Sequence, residues 1–211
     1  QILASHSLIE GTQELPNILA ISRDIKLIDP KSGYPNNLLT LDQSSLNDLG
    51  KKYIDETKWA RSSKPFFIDK MPNNFVHIGL IKLILPKAKI IDARRNPMDA
   101  CFSCFKQYFA KGQNFTYDLD DIARYYKDYI RLMDYWKKLF PDEIFTINYE
   151  DIINIPNERI KDLLEFCNGE FEENSLNFHQ STRPVKTASS EQVRQPLYKT
   201  GLDYWKNYAN H

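Results

Sequence analysis

The sequence predicts an α/β fold, a parallel sheet flanked by helices, on three observations. A short apolar run, Phe66 to Ile68, ends in Asp69, Lys70, Met71 and Pro72, and a second, Ala88 to Asp92, ends in Ala93, Arg94, Arg95, Asn96 and Pro97. The stretch between them has helical spacing, with Phe75, Ile78, Ile81 and Leu85 on one side. Strand, helix, strand in that order is a βαβ unit. Both strands run out into basic residues, and the carboxyl end of a buried strand just before a helix is where open α/β sheets hold anions. A phosphate-rich nucleotide is the ligand expected there.

Taken in order, Gln1 to Ala4 has a helix-like pattern without an N-cap, and Asn17 to Leu27 reads as a helix after Pro16. Ser44 or Ser45 is expected to cap a helix running to about Ser62, with Leu46, Leu49, Tyr53, Ile54 and Trp59 inward and Gly50 weakening it. Asn73 or Asn74 caps the helix of the βαβ unit, Lys82 snorkels outward from its edge, and Pro86 stops it. Pro97 opens a helix to about Ala110, followed by a polar loop from Lys111 to Tyr117. Leu119, Ile122, Tyr126, Tyr129, Met133, Trp136 and Phe140 recur every three or four residues, the pattern of a long amphipathic helix that Pro141 closes. Ile144 to Asn148 is a third strand and Asn157 to Cys167 a helix; Gly169 to Ser190 is polar and irregular, and Tyr198 to Tyr208 is a short Trp-anchored helix.

Composition narrows the function. The 211 residues suit one domain spanning 1–211, and 28 basic against 28 acidic residues leave no global field for nucleic acid or an anionic membrane. No apolar run approaches the roughly 20 residues of a membrane span. Three cysteines, an odd number, fit a reducing compartment, so a cytoplasmic location is expected. Cys101 and Cys104 form a CxxC within a helical pattern, without a second pair or nearby histidines, so they read as buried helix residues and no metal site is expected. His6, His77, His179 and His211 share no ligand spacing. The tyrosines of the long helix have the spacing of a packed face rather than of a base-stacking surface.

The sharpest constellation is Arg95, Asn96, Pro97, Met98, Asp99 and Ser103. The arginine leaves the strand and the serine lies on the helix that the proline opens, so a charged fork and a neutral hydroxyl are available to one phosphate monoester. A solvated arginine and an ordinary helix serine would look the same in the sequence.

Phe67 to Lys70, Arg95 to Ser103 and Ile147 to Asp151 together resemble the sulfotransferases that use 3′-phosphoadenosine 5′-phosphosulfate. The likeness is strongest to the protein-tyrosine sulfotransferases and to the bacterial enzymes with tetratricopeptide-repeat regions. Leu3 to His6 with Glu14, and Ser189, Glu191 to Val193, Pro196 and Trp205, extend it over nearly the whole chain. The resemblance implies a P-loop-NTPase-like parallel sheet flanked by helices. It also implies transfer of a sulfuryl group to an acceptor hydroxyl, such as a peptide tyrosine or a sugar. Within it, Glu14 is the candidate base and Lys70 the cation at the bridging oxygen of the leaving 5′-phosphate. Arg95 and Ser103 grip the 3′-phosphate, Tyr149 lies near the adenine, and Ser189 and Arg194 belong to the closing segment. Tyr204 stands where related enzymes carry a basic residue before the tryptophan.

The family's first strand and its 5′-phosphosulfate loop would precede Gln1. The expectation is therefore a piece of a longer enzyme, inactive by itself, with an upstream repeat region as a candidate neighbour. Two other readings stay open: a noncatalytic nucleotide-binding or interaction remnant of the same fold, and a P-loop kinase using Asp69 or Asp92 to hold magnesium.

Overall fold

The computed structural model describes residues 1–28, 30–109, 112–181, 183, 192–199 and 201–209. In chain order its regular elements are β1 Ile9–Gly11, α1 Asn17–Ile28, α2 Gln43–Glu56, β2 Phe66–Ile68, α3 Ile78–Ile84, β3 Ile90–Arg94, α4 Pro97–Lys106, α5 Leu119–Leu139, β4 Ile144–Asn148, α6 Tyr149–Asn154, α7 Pro156–Phe166 and α8 Glu173–Leu176, joined by 3₁₀ turns. This is a mixed helix and parallel-sheet fold, as the sequence predicts. The chain forms two compact units, Gln1–Ala88 with Glu172–Arg194, and Lys89–Phe171 with Gln195–His211. None of the described helices is long and apolar enough to cross a membrane.

In the first unit β1 and β2 pair in parallel, Ile9 opposite Phe66 and Gly11 opposite Ile68. Strand β1 is not foreseen by the sequence: three residues, one of them a glutamate, carry no period. Helix α1 buries Ile18, Ile21 and Ile25 behind Leu15, one turn per residue, and each such side chain contributes about 1.5–3 kcal/mol on burial. The cap of α2 is Asp42 rather than either serine, its carboxylate accepting from the Ser45 amide at 2.8 Å. Helix α2 stops at Glu56, short of Ser62, where the Thr57 hydroxyl donates to the Tyr53 carbonyl at 2.8 Å and the chain turns into the 3₁₀ turn Lys58–Ala60. Trp59, expected inward, is therefore 68% exposed.

Gly50 lies where α2 meets α3: a Cβ there would sit 2.2 Å from the Ile84 carbonyl oxygen. Helix α3 follows the 3₁₀ turn Pro72–His77, and no side chain, Asn73 and Asn74 included, caps either element. Lys82 does not snorkel outward. It is buried, and its Nζ donates to the Pro86 and Ala88 carbonyls at 2.7 and 3.0 Å, groups left at the helix end where proline halts the ladder. The stretch expected to be irregular contains α8 and the 3₁₀ turn Phe178–Gln180, which buries Phe178. At the chain start, Leu3–Ser5 is a single 3₁₀ turn.

In the second unit β3 and β4 pair in parallel, from Ile90 opposite Ile144 to Arg94 opposite Asn148. Strand β3 lies two residues later than Ala88 to Asp92, which puts Arg94 inside the strand and Arg95 immediately after it. Asn96 caps α4, its side-chain oxygen accepting from the Met98 and Asp99 amides at 3.0 and 3.4 Å, and α4 ends at Lys106 rather than near Ala110. The long helix α5 is present as expected and buries Ile122 and Met133. Strand β4 spans Ile144–Asn148 as expected, and Tyr149 opens the unforeseen helix α6. At the carboxyl terminus the described residues form the 3₁₀ turn Tyr204–Tyr208 rather than a helix from Tyr198. Asp92 is buried and holds Arg94 Nε at 2.8 Å, Lys137 Nζ at 3.4 Å and the Tyr129 hydroxyl. Burial disfavours the Arg94 charge, but the Asp92 carboxylate outweighs that and raises its pKa.

Candidate active site

In the first unit the carboxyl ends of β1 and β2 are tied together. The Thr12 hydroxyl and amide both donate to the Ile68 carbonyl, at 2.6 and 3.3 Å, so the two chains leave the sheet side by side. Glu14 and Lys70 follow directly, and Lys70 Nζ lies 2.5 Å from Glu14 Oε1 with the side chains 60% and 42% exposed. A carboxylate able to take a proton and an ammonium able to neutralise an oxyanion thus share one solvent-facing spot.

Arg183 braces this end of the sheet. Its Nε and Nη2 donate to the Gly11 and Thr12 carbonyls at 3.0 and 2.5 Å, and its Nη1 to Gln1 Oε1 at 2.9 Å. A Cβ on Gly11 would come within 2.6 Å of the guanidinium carbon and 2.8 Å of the Ala4 Cβ, so a larger residue there would have to displace one or both. Asp69, beside Lys70, accepts from the Tyr53 hydroxyl at 2.8 Å and from Asn74 at 3.4 Å, and burial pushes its carboxyl up. His6 is buried; its Nδ1 accepts from the Leu8 amide at 3.1 Å and its Nε2 lies 3.4 Å from Glu172. Desolvation opposes the Glu172 charge, but the Ser7 hydroxyl and amide outweigh it and hold the carboxyl below its usual range.

In the second unit Arg95 leaves β3 and donates through Nη2 to the Gly201 carbonyl, with its guanidinium 5.5 Å above the Tyr149 ring. The Tyr149 hydroxyl donates to the Tyr198 carbonyl at 3.3 Å, and burial raises its pKa. The turn from β3 into α4 is held by Glu150, whose carboxylate accepts from the Asn96 amide at 2.7 Å. Asp99, buried in the first turn of α4, accepts from the Asp203 and Trp205 amides at 2.8 and 3.1 Å. That contact fixes the carboxyl-terminal segment beside Arg95, and a Cβ on Gly201 would stand 3.3 Å from Arg95 Nη2. Arg95 Nε is buried with no hydrogen-bond partner. Ser103 is exposed one turn beyond Asp99.

The structure thus brings Glu14 to Lys70 in the first unit, and Arg95 to Tyr149 in the second, with Ser103 on the helix that follows Arg95. Arg194 belongs to the first unit, exposed, with Nη1 3.5 Å from the Ser181 carbonyl. Ser189 and Glu191 lie outside the described residues. Cys101 and Cys104 are half-buried free thiols whose pKa values burial raises, against the expectation of full burial. Asp99 and Glu150 stand in stretches the sequence singles out but with no role of their own, and Gly201 and Arg183 stand outside them. Asp99 alone carries a local signal, an acid in the first turn of a helix that opens on proline. Asp69 and Asp92, the acids a kinase would need for magnesium, are both engaged within their own units.

A profile described as the sulfotransferase family matches residues 1–173. An uncharacterized protein of Aquifex aeolicus (strain VF5) is 34% identical over 220 aligned positions, covering all of this chain and 29% of that relative. The chain therefore spans under a third of that relative's length. Two solved structures share the fold. The sulfotransferase domain from the curacin biosynthetic pathway superposes with a TM-score of 0.64 at 14% identity, over 97% of this chain and 84% of that one. The sulfotransferase domain from the Synechococcus PCC 7002 olefin synthase gives 0.65 at 17% identity, over 97% and 80%. With its paired parallel strands, the basic residues at their carboxyl ends and the profile match across residues 1–173, this chain belongs to the sulfotransferase family.

Proposed function

We propose that the chain belongs to an enzyme that transfers a sulfuryl group from 3′-phosphoadenosine 5′-phosphosulfate to an acceptor hydroxyl, and the observation that carries this reading is the Glu14–Lys70 pair at 2.5 Å. When bound, the donor supplies a sulfuryl group whose bond to the 5′-phosphate breaks as a bond to the acceptor oxygen forms. Glu14 takes the proton that the acceptor hydroxyl gives up. Lys70 keeps its proton and neutralises the oxygen left on the 5′-phosphate. Such a transfer needs positioning and charge stabilisation more than covalent participation by the protein, which suits a site built on one acid and one cation.

The second unit, taken by itself, carries groups suited to a phosphorylated nucleoside. Arg95 has a buried Nε without a partner, and Ser103 presents a free-standing hydroxyl, a donor set matched to a phosphate dianion. Tyr149 offers an aromatic face for adenine. Ser189 and Arg194 are assigned to the same ligand by the resemblance alone, which also suggests a tyrosine or sugar acceptor, whereas a cytoplasmic setting is inferred from the three cysteines.

The test is transfer from a sulfur-labelled donor to a panel of phenols and sugars by the full-length enzyme that carries this chain. Glu14→Gln and Lys70→Met should each lower turnover about 10²–10³-fold. Both should fold normally, because an exposed ion pair contributes only about 0–1 kcal/mol. Turnover within threefold of the parent in both variants would contradict the assignment.

A further inference from the structure

We propose that Lys106 is a third group in the 3′-phosphate site, an ammonium held over an aromatic platform so that it faces the same phosphate as Ser103. The inference rests on the sulfotransferase reading and extends it to a residue with no role so far.

Asp99, Ser103 and Lys106 fall four and then three positions apart on α4, which places them along one stripe of the helix. Helical side chains lean toward the amino terminus, so a lysine covers the turn before its own Cα. Lys106 does this: its Nζ lies 5.7 Å from the centre of the Phe102 ring, four residues back and next to Ser103 in sequence. The same Nζ sits 4.1 Å above the Tyr204 ring. That ring is held in place, because the amides on either side of it, Asp203 and Trp205, both donate to Asp99. The Phe102 and Tyr208 rings pack at 4.6 Å and the Tyr204 and Tyr208 hydroxyls lie 3.3 Å apart, which completes the platform.

Among the described residues no carboxylate pairs with Lys106 within ion-pair distance. An aromatic face attracts an ammonium by only about 0.5–1 kcal/mol at an exposed site, so the charge stays available to an anion. Arg95 and Ser103 supply a guanidinium and a hydroxyl to a group carrying nearly two charges, and Lys106 supplies the second cation.

Titration of the protein with adenosine 3′,5′-bisphosphate and, separately, with adenosine 5′-monophosphate tests this. Lys106→Met should weaken the bisphosphate about tenfold, leave the monophosphate within twofold, and lower the salt dependence of bisphosphate binding. Lys106→Arg should restore most of the loss. Equal weakening of both ligands, or no change in either, would overturn the proposal while leaving the wider reading intact. A parent protein that binds the two ligands alike would overturn the wider reading itself. Unaltered thermal unfolding of Lys106→Met excludes misfolding as the cause, as expected for an exposed side chain.

Discussion

Removing the Asp99 carboxylate should release the carboxyl-terminal segment without unfolding the protein. Asp99 is buried at 3% exposure and accepts two backbone amides, Asp203 at 2.8 Å and Trp205 at 3.1 Å. Hydrogen bonds to a charged group contribute about 1.5–3 kcal/mol each, so Asp99→Ala removes about 3–6 kcal/mol of gross attachment. Rehydration of both amides once the segment lifts keeps the observed loss near the lower figure. The Phe102–Tyr208 contact at 4.6 Å remains and is worth about 0.5–1.5 kcal/mol. Hydrogen exchange should show protection at Asp203 and Trp205 falling about a hundredfold, the equivalent of some 3 kcal/mol. Asp99→Asn keeps one acceptor oxygen and should lose about half as much. Gly201 would then no longer hold Arg95, and donor affinity should fall with turnover at saturation nearly unchanged. Undiminished protection at both amides, or a global loss of structure, would refute the argument.

Other perturbations have equally definite signs. Gly50→Ala in an exposed helix would stabilise by about 1 kcal/mol, but here the Ile84 carbonyl stands 2.2 Å from the added carbon, so chemical denaturation should show a net loss of about 1–2 kcal/mol. Lys82→Met leaves the Pro86 and Ala88 carbonyls without the ammonium and should cost about 2–4 kcal/mol by the same measurement. His77 is buried against the Tyr34 hydroxyl at 2.9 Å, and burial lowers its pKa below the ordinary 6.5. The folded form therefore binds fewer protons than the unfolded chain below pH 6.5, and its stability contribution, complete above that value, is lost as pH falls toward the folded pKa. Urea midpoints at pH 7.5 and 5 should differ more in the parent than in His77→Gln.

Elements with a period were legible from the sequence: α5 over twenty residues of regular apolar spacing, α1 behind Pro16, and β2 and β4 as short apolar runs. Elements defined by partners distant in sequence were not. Strand β1 exists because Phe66 to Ile68 pairs with it, and nothing within Ile9–Gly11 announces that. Gly50 looks like a weak point until Ile84 is placed against it, and Lys82 looks like a surface lysine until two carbonyls capture it. The same holds for the site. Lys70 and Arg95 could be suspected from their places after apolar runs, and Glu14 by resemblance, yet the contact between Glu14 and Lys70 spans 56 positions. Asp99 and Gly201 depend on a segment about a hundred residues away, beyond the reach of any local pattern.

The most direct test is the affinity of adenosine 3′,5′-bisphosphate relative to adenosine 5′-monophosphate in the parent protein and in Arg95→Met. The Arg95 guanidinium, with its partnerless Nε, should favour the bisphosphate by about 10- to 150-fold in the parent, and the variant should lose most of that preference. Equal affinity for the two nucleotides in the parent, or an undiminished preference without Arg95, would contradict the nucleotide site described for this chain.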